Sequence, residues 1–309
     1  MNLIYISTWK NLESICLENS KLRIVVIPGL GGKIASVYLK DRAFEAAAVN
    51  KEKEYCLPNK NADFSKFDGS GIDDAFPNIV EAEVLYNGEN QYYPDHGEIW
   101  SSAFAYTLEE DKICLSYRSR QFPYIYKKWI SLEGDSVLIH YEIENESNRI
   151  FPCIWTFHGL FRYEEDMQLI YPQGIERMRN VLSSRELGEE GVCIPLMNDT
   201  YDFSKVPPIE SKTMVKYYAE EKVKYGACGY RYPKQGVECI LEYDANKLPY
   251  LGVWITAGGF RGDYNLAIEP STGYYDDIRI AEKNKSLHLL CKDSPLVFDL
   301  KITVREYLI

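Results

Sequence analysis

No stretch of a dozen residues in this chain has the i, i+3, i+4 spacing of apolar residues that an amphipathic helix requires. Short runs rich in β-branched and aromatic residues, separated by turn formers, dominate instead. In 137–143 the apolar residues alternate with His140 and Glu142, which is the period of a strand with one wet face. The sequence therefore predicts an all-β chain. The predicted strands are 22–27, 34–39, 113–117, 124–130, 137–143, 237–243, 250–256, 264–269, 286–290 and 297–304.

The chain shows no internal repeat and no shift in composition that would mark a domain boundary. Segment 176–225 is polar and irregular and contains Pro207 and Pro208, so we expect long loops there that bridge two groups of strands. Many short strands with turns at intervals favour a large antiparallel β-sandwich over alternating βαβ units. We predict a single domain over 1–309 with few short helices.

Charge and composition narrow the possible partners. The net charge of −11 and a pI near 5.0, without any run of Lys or Arg, argue against nucleic acid. No apolar stretch reaches membrane-spanning length, and the N-terminal residues lack the order of a signal peptide. The eight cysteines are scattered without Cys-x-x-Cys spacing, which favours reduced thiols. These features predict a cytoplasmic protein.

Three distant segments each carry a residue that can handle protons. Two of the four histidines, His96 and His158, stand among aromatic residues and each precedes a glycine. Glu269 ends a predicted strand just before Pro270, and strand alternation places it on the same face as Ala267. A half-buried imidazole and a half-buried carboxylate that meet in space can transfer protons near neutral pH. We therefore predict an acid–base site.

Other interpretations of the same residues remain open at this point. Glu269 could be a surface residue at a strand end, and His158 could be a buried histidine bonded to a backbone carbonyl. His96 and Glu98, with a distant histidine and a carboxylate, could bind a metal ion, although no third histidine is expected nearby. The chain contains no Gly-x-Ser-x-Gly motif, and the glycines at 29–32 form a turn between strands rather than a phosphate loop. His288 is interpreted as an ordinary strand residue.

The chain resembles the aldose 1-epimerases, or galactose mutarotases, and more closely their divergent relatives. The likeness covers most of the chain, and its motifs follow the order of the family. They are RIVVIPGLGGKIAS at 23–36, GIDDAFP at 71–77, DHGEIW at 95–100, TFH at 156–158, VWIT at 253–256 and AIEPSTG at 267–273.

The resemblance implies a supersandwich of the galactose mutarotase type with a sugar groove on its concave sheet. It implies that His158 protonates the ring oxygen, that Glu269 takes the proton of the anomeric hydroxyl, and that His96 forms a hydrogen bond near the reacting centre. The expected reaction opens an aldose ring and recloses it on either face, which interconverts the α and β anomers. Because only protons move, neither a cofactor nor a metal is expected.

The sequence also departs from the family. Typical members carry an arginine that contacts sugar before the first histidine motif, where this chain has Asp73 and Asp74. Adjacent acids suit hydrogen bonds to hydroxyl groups and repel phosphate, so we expect an unphosphorylated aldose and treat both as candidate sugar ligands. Glu98 would share a strand face with His96, and Trp254 lies in a family motif, so both are further candidates.

Three points stay open from the sequence. Arg162 or Arg261 could still bind a phosphorylated sugar. The protein could be a carbohydrate-binding protein that has kept the groove and lost turnover, or an epimerase or isomerase of an unusual sugar derivative, since fold alone does not determine function. The oligomeric state and the identity of the sugar are not encoded in any motif.

Overall fold

The structure is a computed structural model that describes residues 2–67, 69–86 and 88–307. Within these ranges the chain forms strands β1 (Leu3–Trp9), β2 (Leu12–Glu18), β3 (Leu22–Ile27), β4 (Lys33–Leu39), β5 (Phe44–Glu45), β6 (Ile72–Ala75), β7 (Ala82–Tyr86), β8 (Glu89–Tyr93), β9 (Ala105–Leu108), β10 (Lys112–Arg118), β11 (Tyr124–Glu133), β12 (Ser136–Asn145), β13 (Phe151–Cys153), β14 (Thr156–Gly159), β15 (Phe161–Arg162), β16 (Gln168–Ile170), β17 (Arg177–Asn180), β18 (Cys193–Pro195), β19 (Thr213–Ala219), β20 (Ala227–Tyr232), β21 (Val237–Tyr243), β22 (Tyr250–Ala257), β23 (Tyr264–Ser271), β24 (His288–Leu290) and β25 (Leu296–Glu306). The helices are α1 (Ile278–Lys283) and the 3₁₀ turns Lys40–Arg42, Phe64–Lys66, Ile209–Ser211 and Pro233–Gln235.

Two large antiparallel sheets organise the chain. A 13-stranded sheet runs in the order β1-β2-β3-β4-β6-β14-β23-β22-β19-β17-β18, with β5 paired to β4 and β15 to β23. An 8-stranded sheet runs β16-β20-β21-β25-β12-β11-β10-β9. Strands make up about 50% of the chain and helices about 6%, so the all-β sandwich prediction is confirmed.

The core lies between these sheets and is rich in tyrosine. Strand β11 alternates buried and half-buried positions from Tyr124 to Leu132, as expected when one face of a sheet packs inward. Buried tyrosines bring a hydroxyl that needs a partner. The Trp155 indole donates to the Tyr126 hydroxyl at 2.7 Å, and the Tyr93 hydroxyl donates to the carbonyl of Pro152 at 3.0 Å. Aromatic residues of the strands therefore form much of the core.

All ten predicted strands overlap strands of the structure. The prediction of long loops over 176–225 holds for 181–192 and 196–208, but it missed β17, β18 and β19, which complete one edge of the larger sheet. Strand β19 alternates Val215 and Tyr217, both fully buried, with Lys216, which is partly exposed. The neighbouring prolines and charges hid this short alternation in the sequence.

None of the helices in the described ranges has the length and apolarity needed to cross a bilayer. All eight cysteines are free thiols. The single-domain organisation stays a prediction.

Candidate active site

Strand register brings the two main candidates together. Strands β14 and β15 both pair with β23, and the pairs Thr156↔Ser271 and Phe161↔Leu266 belong to one register. The same register sets His158 opposite Glu269, so two residues far apart in the chain occupy facing positions on adjacent strands. Both side chains are buried. They lie on the face of the larger sheet that is turned away from the core.

A cavity of about 250 Å³ opens over this face. Its volume lies just below the range for drug-sized ligands, roughly 300–1,000 Å³, so it suits a ligand the size of a single sugar ring. Its lining residues are Phe64, Ser65, Gly69, Asp95, His96, His158, Leu160, Lys216, Trp254, Phe260, Asp263, Asn265 and Glu269. The structure thus brings His96, His158, Glu269 and Trp254 to one cavity.

Asp73 fixes the orientation of His158. The two residues are paired across β6 and β14, and His158 Nδ1 lies 2.7 Å from Asp73 Oδ1. Burial alone would raise the pKa of Asp73, but the charges of Lys33, 3.0 Å away, and of His158 lower it to about 2. Because the carboxylate stays ionised, it accepts the Nδ1 proton and leaves Nε2 as the nitrogen available to a ligand.

Glu269 carries a buried oxygen that has no hydrogen-bond partner within the described part of the chain, its Oε2. Burial raises the pKa of Glu269, while the charges of Lys216 and His158 oppose that rise. Gly252 lies opposite Glu269 on β22, and an added Cβ there would approach Oε2 to 3.1 Å. The missing side chain at Gly252 therefore leaves room for the carboxylate at the cavity.

Lys216 is a lining residue that the sequence analysis missed. Its Nζ lies 2.7 Å from Asp276 Oδ2 and 4.0 Å from Glu269 Oε2. Burial would lower the pKa of Lys216, but Asp276 and Glu269 raise it, so the side chain is an ammonium ion. The Tyr218 hydroxyl donates to Asp276 Oδ1 at 2.6 Å, so Asp276 contacts both Lys216 and Tyr218. Lys216 thus places a positive charge beside the free carboxylate oxygen.

His96 reaches the cavity from a turn and not from a strand, which corrects the expectation. Its φ of 55° is in the left-handed region. Its Nδ1 lies 2.7 Å from Asp95 Oδ1, and its ring stacks on Phe64 with centroids 4.0 Å apart. Burial lowers the pKa of His96, which favours the neutral ring. The His96 and His158 rings meet edge to face with centroids 5.2 Å apart.

Asp73, Asp74 and Glu98 do not line the cavity, which corrects their assignment as sugar ligands. Alternate residues of a strand face opposite sides, so Asp73 faces His158 while Asp74 enters the core. Asp74 accepts hydrogen bonds from Lys128 at 2.9 Å and from Tyr141 at 3.0 Å.

Glu98 is likewise held between the sheets, where the Tyr124 hydroxyl donates to its Oε1 at 2.7 Å. A metal site built on His96 and Glu98 would require both side chains to lie side by side, whereas Glu98 is bonded to Tyr124 and does not line the cavity. Across 2–67, 69–86 and 88–307, no three His, Cys, Asp or Glu side chains form a group that could hold a metal ion.

No protein-family model and no curated protein sequence matches the chain. Solved structures do match it over nearly its whole length. A galactose mutarotase-like protein from Clostridium acetobutylicum aligns with a TM-score of 0.74 and 12% identity, covering 98% of this chain and 98% of that chain. A galactose mutarotase related enzyme from Lactobacillus acidophilus aligns with a TM-score of 0.69 and 15% identity, covering 99% and 100%. This chain has the galactose mutarotase-like fold.

A third galactose mutarotase-like structure, from Lactobacillus casei, aligns with a TM-score of 0.68 and 16% identity over 94% of this chain and 100% of that one. Such low identities agree with the prediction of a divergent relative. A likeness of this kind defines the fold and not the roles of individual residues.

Proposed function

We propose that this protein is a mutarotase that interconverts the α and β anomers of an unphosphorylated aldose. The observation that carries the proposal is the free, buried Oε2 of Glu269, which faces the same cavity as His158. A buried polar atom without a partner costs free energy, so its presence at a cavity points to a ligand that supplies the missing hydrogen bond. A hydroxyl group of a sugar is such a ligand.

Ring opening moves two protons. Glu269 takes the proton of the anomeric hydroxyl as that oxygen becomes the carbonyl of the open aldose. The bond between the anomeric carbon and the ring oxygen breaks, and the ring oxygen receives the Nε2 proton of His158. Ionised Asp73 faces Nδ1 and offsets the positive charge that His158 carries before this transfer.

Reclosure reverses these transfers. Rotation about the first carbon–carbon bond presents the other face of the aldehyde. The sugar hydroxyl then attacks the carbonyl carbon and returns its proton to His158, while Glu269 returns its proton to the new anomeric oxygen. Both residues end in their starting states, so no other reactant is consumed. Each positioned acid or base contributes roughly 10²–10⁴-fold to such a reaction.

Other lining residues support binding of a neutral sugar. Trp254 presents an aromatic face, and its Nε1 donates to Asn265 Oδ1 at 3.3 Å. The only described cation among the cavity residues apart from histidine is Lys216, and it is already paired with Asp276. Because Asp95, Asp263 and Glu269 are carboxylates in the same lining, the cavity disfavours a phosphorylated substrate.

NMR exchange spectroscopy on a panel of unphosphorylated aldoses tests this function. We expect the protein to accelerate exchange between the two anomers of at least one aldose, and expect Glu269→Gln to lose that acceleration. Burial raises the pKa of Glu269, so the charged form of this residue destabilises the fold above that pKa. Glu269→Gln should therefore be at least as stable as the wild type at pH 8. Saturable sugar binding without any acceleration would favour a carbohydrate-binding protein instead.

A further inference from the structure

A second and larger cavity, of about 610 Å³, adjoins the first. The two cavities share Gly69, Asp263 and Asn265 as lining residues. Asn265 ties this boundary together, because its Nδ2 donates to the carbonyl of Gly69 at 3.0 Å and its Oδ1 accepts from Trp254. The two cavities thus meet at Asn265, so a ligand that occupied both would cross this boundary.

The second cavity has an aromatic wall. Tyr163 and Tyr264 line it with ring centroids 5.8 Å apart and ring planes at 71°, and Phe67 lines it as well. The Tyr163 hydroxyl donates to the carbonyl of Pro207, and the Tyr264 hydroxyl accepts from Lys212. These contacts hold both rings in place. Fixed aromatic rings with polar edges suit the alternating apolar and hydroxylated surface of a sugar.

The lining of the second cavity contains four cations, which are Lys51, Lys66, Arg162 and Arg261. Arg162 pairs with Glu164 at 2.5 Å, and Lys66 pairs with Asp63 at 3.2 Å. Arg261 donates to the backbone carbonyl of Ser65 at 2.7 Å. The cavity lining also contains carboxylates. They are Glu45, Glu52, Glu54 and Asp263. Four carboxylates therefore balance four cations in the lining, and a cavity without net positive charge favours a neutral ligand over a phosphate.

The dimensions of strand β23 fit more than one sugar unit. Asn265, Ala267 and Glu269 share one face of β23, and at about 3.3 Å per residue the first and last are roughly 13 Å apart. A six-membered ring with bonds of about 1.5 Å spans only about 6 Å with its exocyclic oxygens. A ring that reacts at Glu269 therefore leaves space toward Asn265 for a linked unit.

We propose that the second cavity binds the sugar unit next to the reducing end, so that the substrate is a reducing disaccharide or longer oligosaccharide. The proposal rests on the proposed mutarotase activity, which places the reducing end at Glu269 and His158. The reducing ring occupies the first cavity. The linked unit packs against Tyr163 and Tyr264 beyond the boundary at Asn265.

Anomerisation kinetics test the second cavity. The probes are glucose, galactose and mannose, each compared with disaccharides that have the same sugar at the reducing end. We expect at least one disaccharide to exceed its monosaccharide in kcat/KM by about tenfold, which corresponds to one aromatic packing surface. Val49 lines only the second cavity and is 44% exposed, so Val49→Trp should fill that cavity and remove this preference.

Val192→Trp is the matched control, because Val192 is 43% exposed and lines neither cavity. The control should keep the ratio of disaccharide to monosaccharide kcat/KM. Disaccharides that are never preferred, or a ratio that Val49→Trp leaves unchanged, would overturn the proposal. If no sugar is anomerised, the mutarotase proposal fails. Calorimetric binding of the same sugars then tests whether the second cavity binds a linked sugar unit. Tighter disaccharide binding that Val49→Trp abolishes would support it, and equal binding would overturn it.

Discussion

Asp73 and Asp74 are neighbours in the chain, and each forms a buried ion pair with a lysine, yet the two pairs lie on opposite faces of the larger sheet. The pair of Asp73 and Lys33 measures 3.0 Å and lies on the cavity side. The pair of Asp74 and Lys128 measures 2.9 Å and connects the two sheets across the core. The two ion pairs are similarly buried and have similar distances. Differences between them in stability or activity therefore reflect the face of the sheet on which each pair lies.

The difference shows how a single strand can serve both stability and chemistry. On the core side, Asp74 meets Lys128 and Tyr141, and both partners come from the 8-stranded sheet. On the cavity side, Asp73 holds the imidazole of His158. We therefore expect substitutions at the two aspartates to have similar effects on unfolding and very different effects on activity.

The largest expected effect is on stability. Asp74→Asn removes the charge that compensates buried Lys128, and breaking such a pair costs roughly 3–5 kcal/mol of unfolding free energy. Urea unfolding at pH 7 measures this loss. Activity per folded molecule should stay near that of the wild type. A strong loss of activity in the folded fraction would contradict a purely structural role for Asp74.

The second effect concerns activity. Asp73→Asn leaves His158 without an anionic partner for Nδ1, so the imidazole loses both its fixed tautomer and the stabilisation of its charge. We expect kcat for anomerisation to fall by about 100-fold, an intermediate value for loss of such an orienting carboxylate. Polarimetry of a freshly dissolved α-sugar measures the rate, with Asp74→Asn as the matched control. Equal rates in the two variants would contradict the assigned roles.

The third effect is the acid dependence of stability. The pKa of Asp73 is lowered to about 2 in the folded protein. The ionised carboxylate therefore stabilises the fold at pH values above the ordinary pKa of an aspartate, and this stabilisation is lost as the pH falls through about 2. The shift corresponds to about 2 kcal/mol. Unfolding free energies of wild type and Asp73→Asn should therefore converge by that amount between pH 5 and pH 2. The exposed Asp111→Asn control should show no such convergence.

The smallest effect concerns Lys216. Its charge opposes the rise that burial causes in the pKa of Glu269, so Lys216→Met should raise that pKa further. The acid limb of kcat/KM should move to higher pH, with a loss of up to about tenfold at neutral pH. Lys224→Met, at an exposed position, is the control. An acid limb that does not move would show that Lys216 has no influence on the base.

The fold followed from sequence because strand alternation is local. Strand β3 carries a compact run of β-branched residues, β21 alternates apolar residues with glutamates, and the predicted bounds of both match the structure. Strand β19 was missed since its alternation is short and its surroundings are polar. Lys216 was lost with it, although the order Val215, Lys216, Tyr217 already has the period of a strand.

The site was only partly predictable. Histidines among aromatic residues and a glutamate at a strand end were sufficient to select His96, His158 and Glu269, which line one cavity. Which of two adjacent aspartates lies on the cavity side of the sheet and contacts His158 depends on register and on the position of the second sheet. Those are long-range properties, so no local pattern could separate Asp73 from Asp74.

A double-mutant comparison of His158 and Glu269 tests most directly whether these two residues act together as a proton-transfer pair. Anomer exchange rates are measured for His158→Gln, Glu269→Gln and the double variant, with far-UV circular dichroism to confirm folding. Residues that act as one proton-transfer unit give non-additive losses. We expect each single variant to lose roughly 10²-fold or more and the double variant to be scarcely slower than the slower single variant. Near-wild-type exchange in either single variant would contradict this expectation.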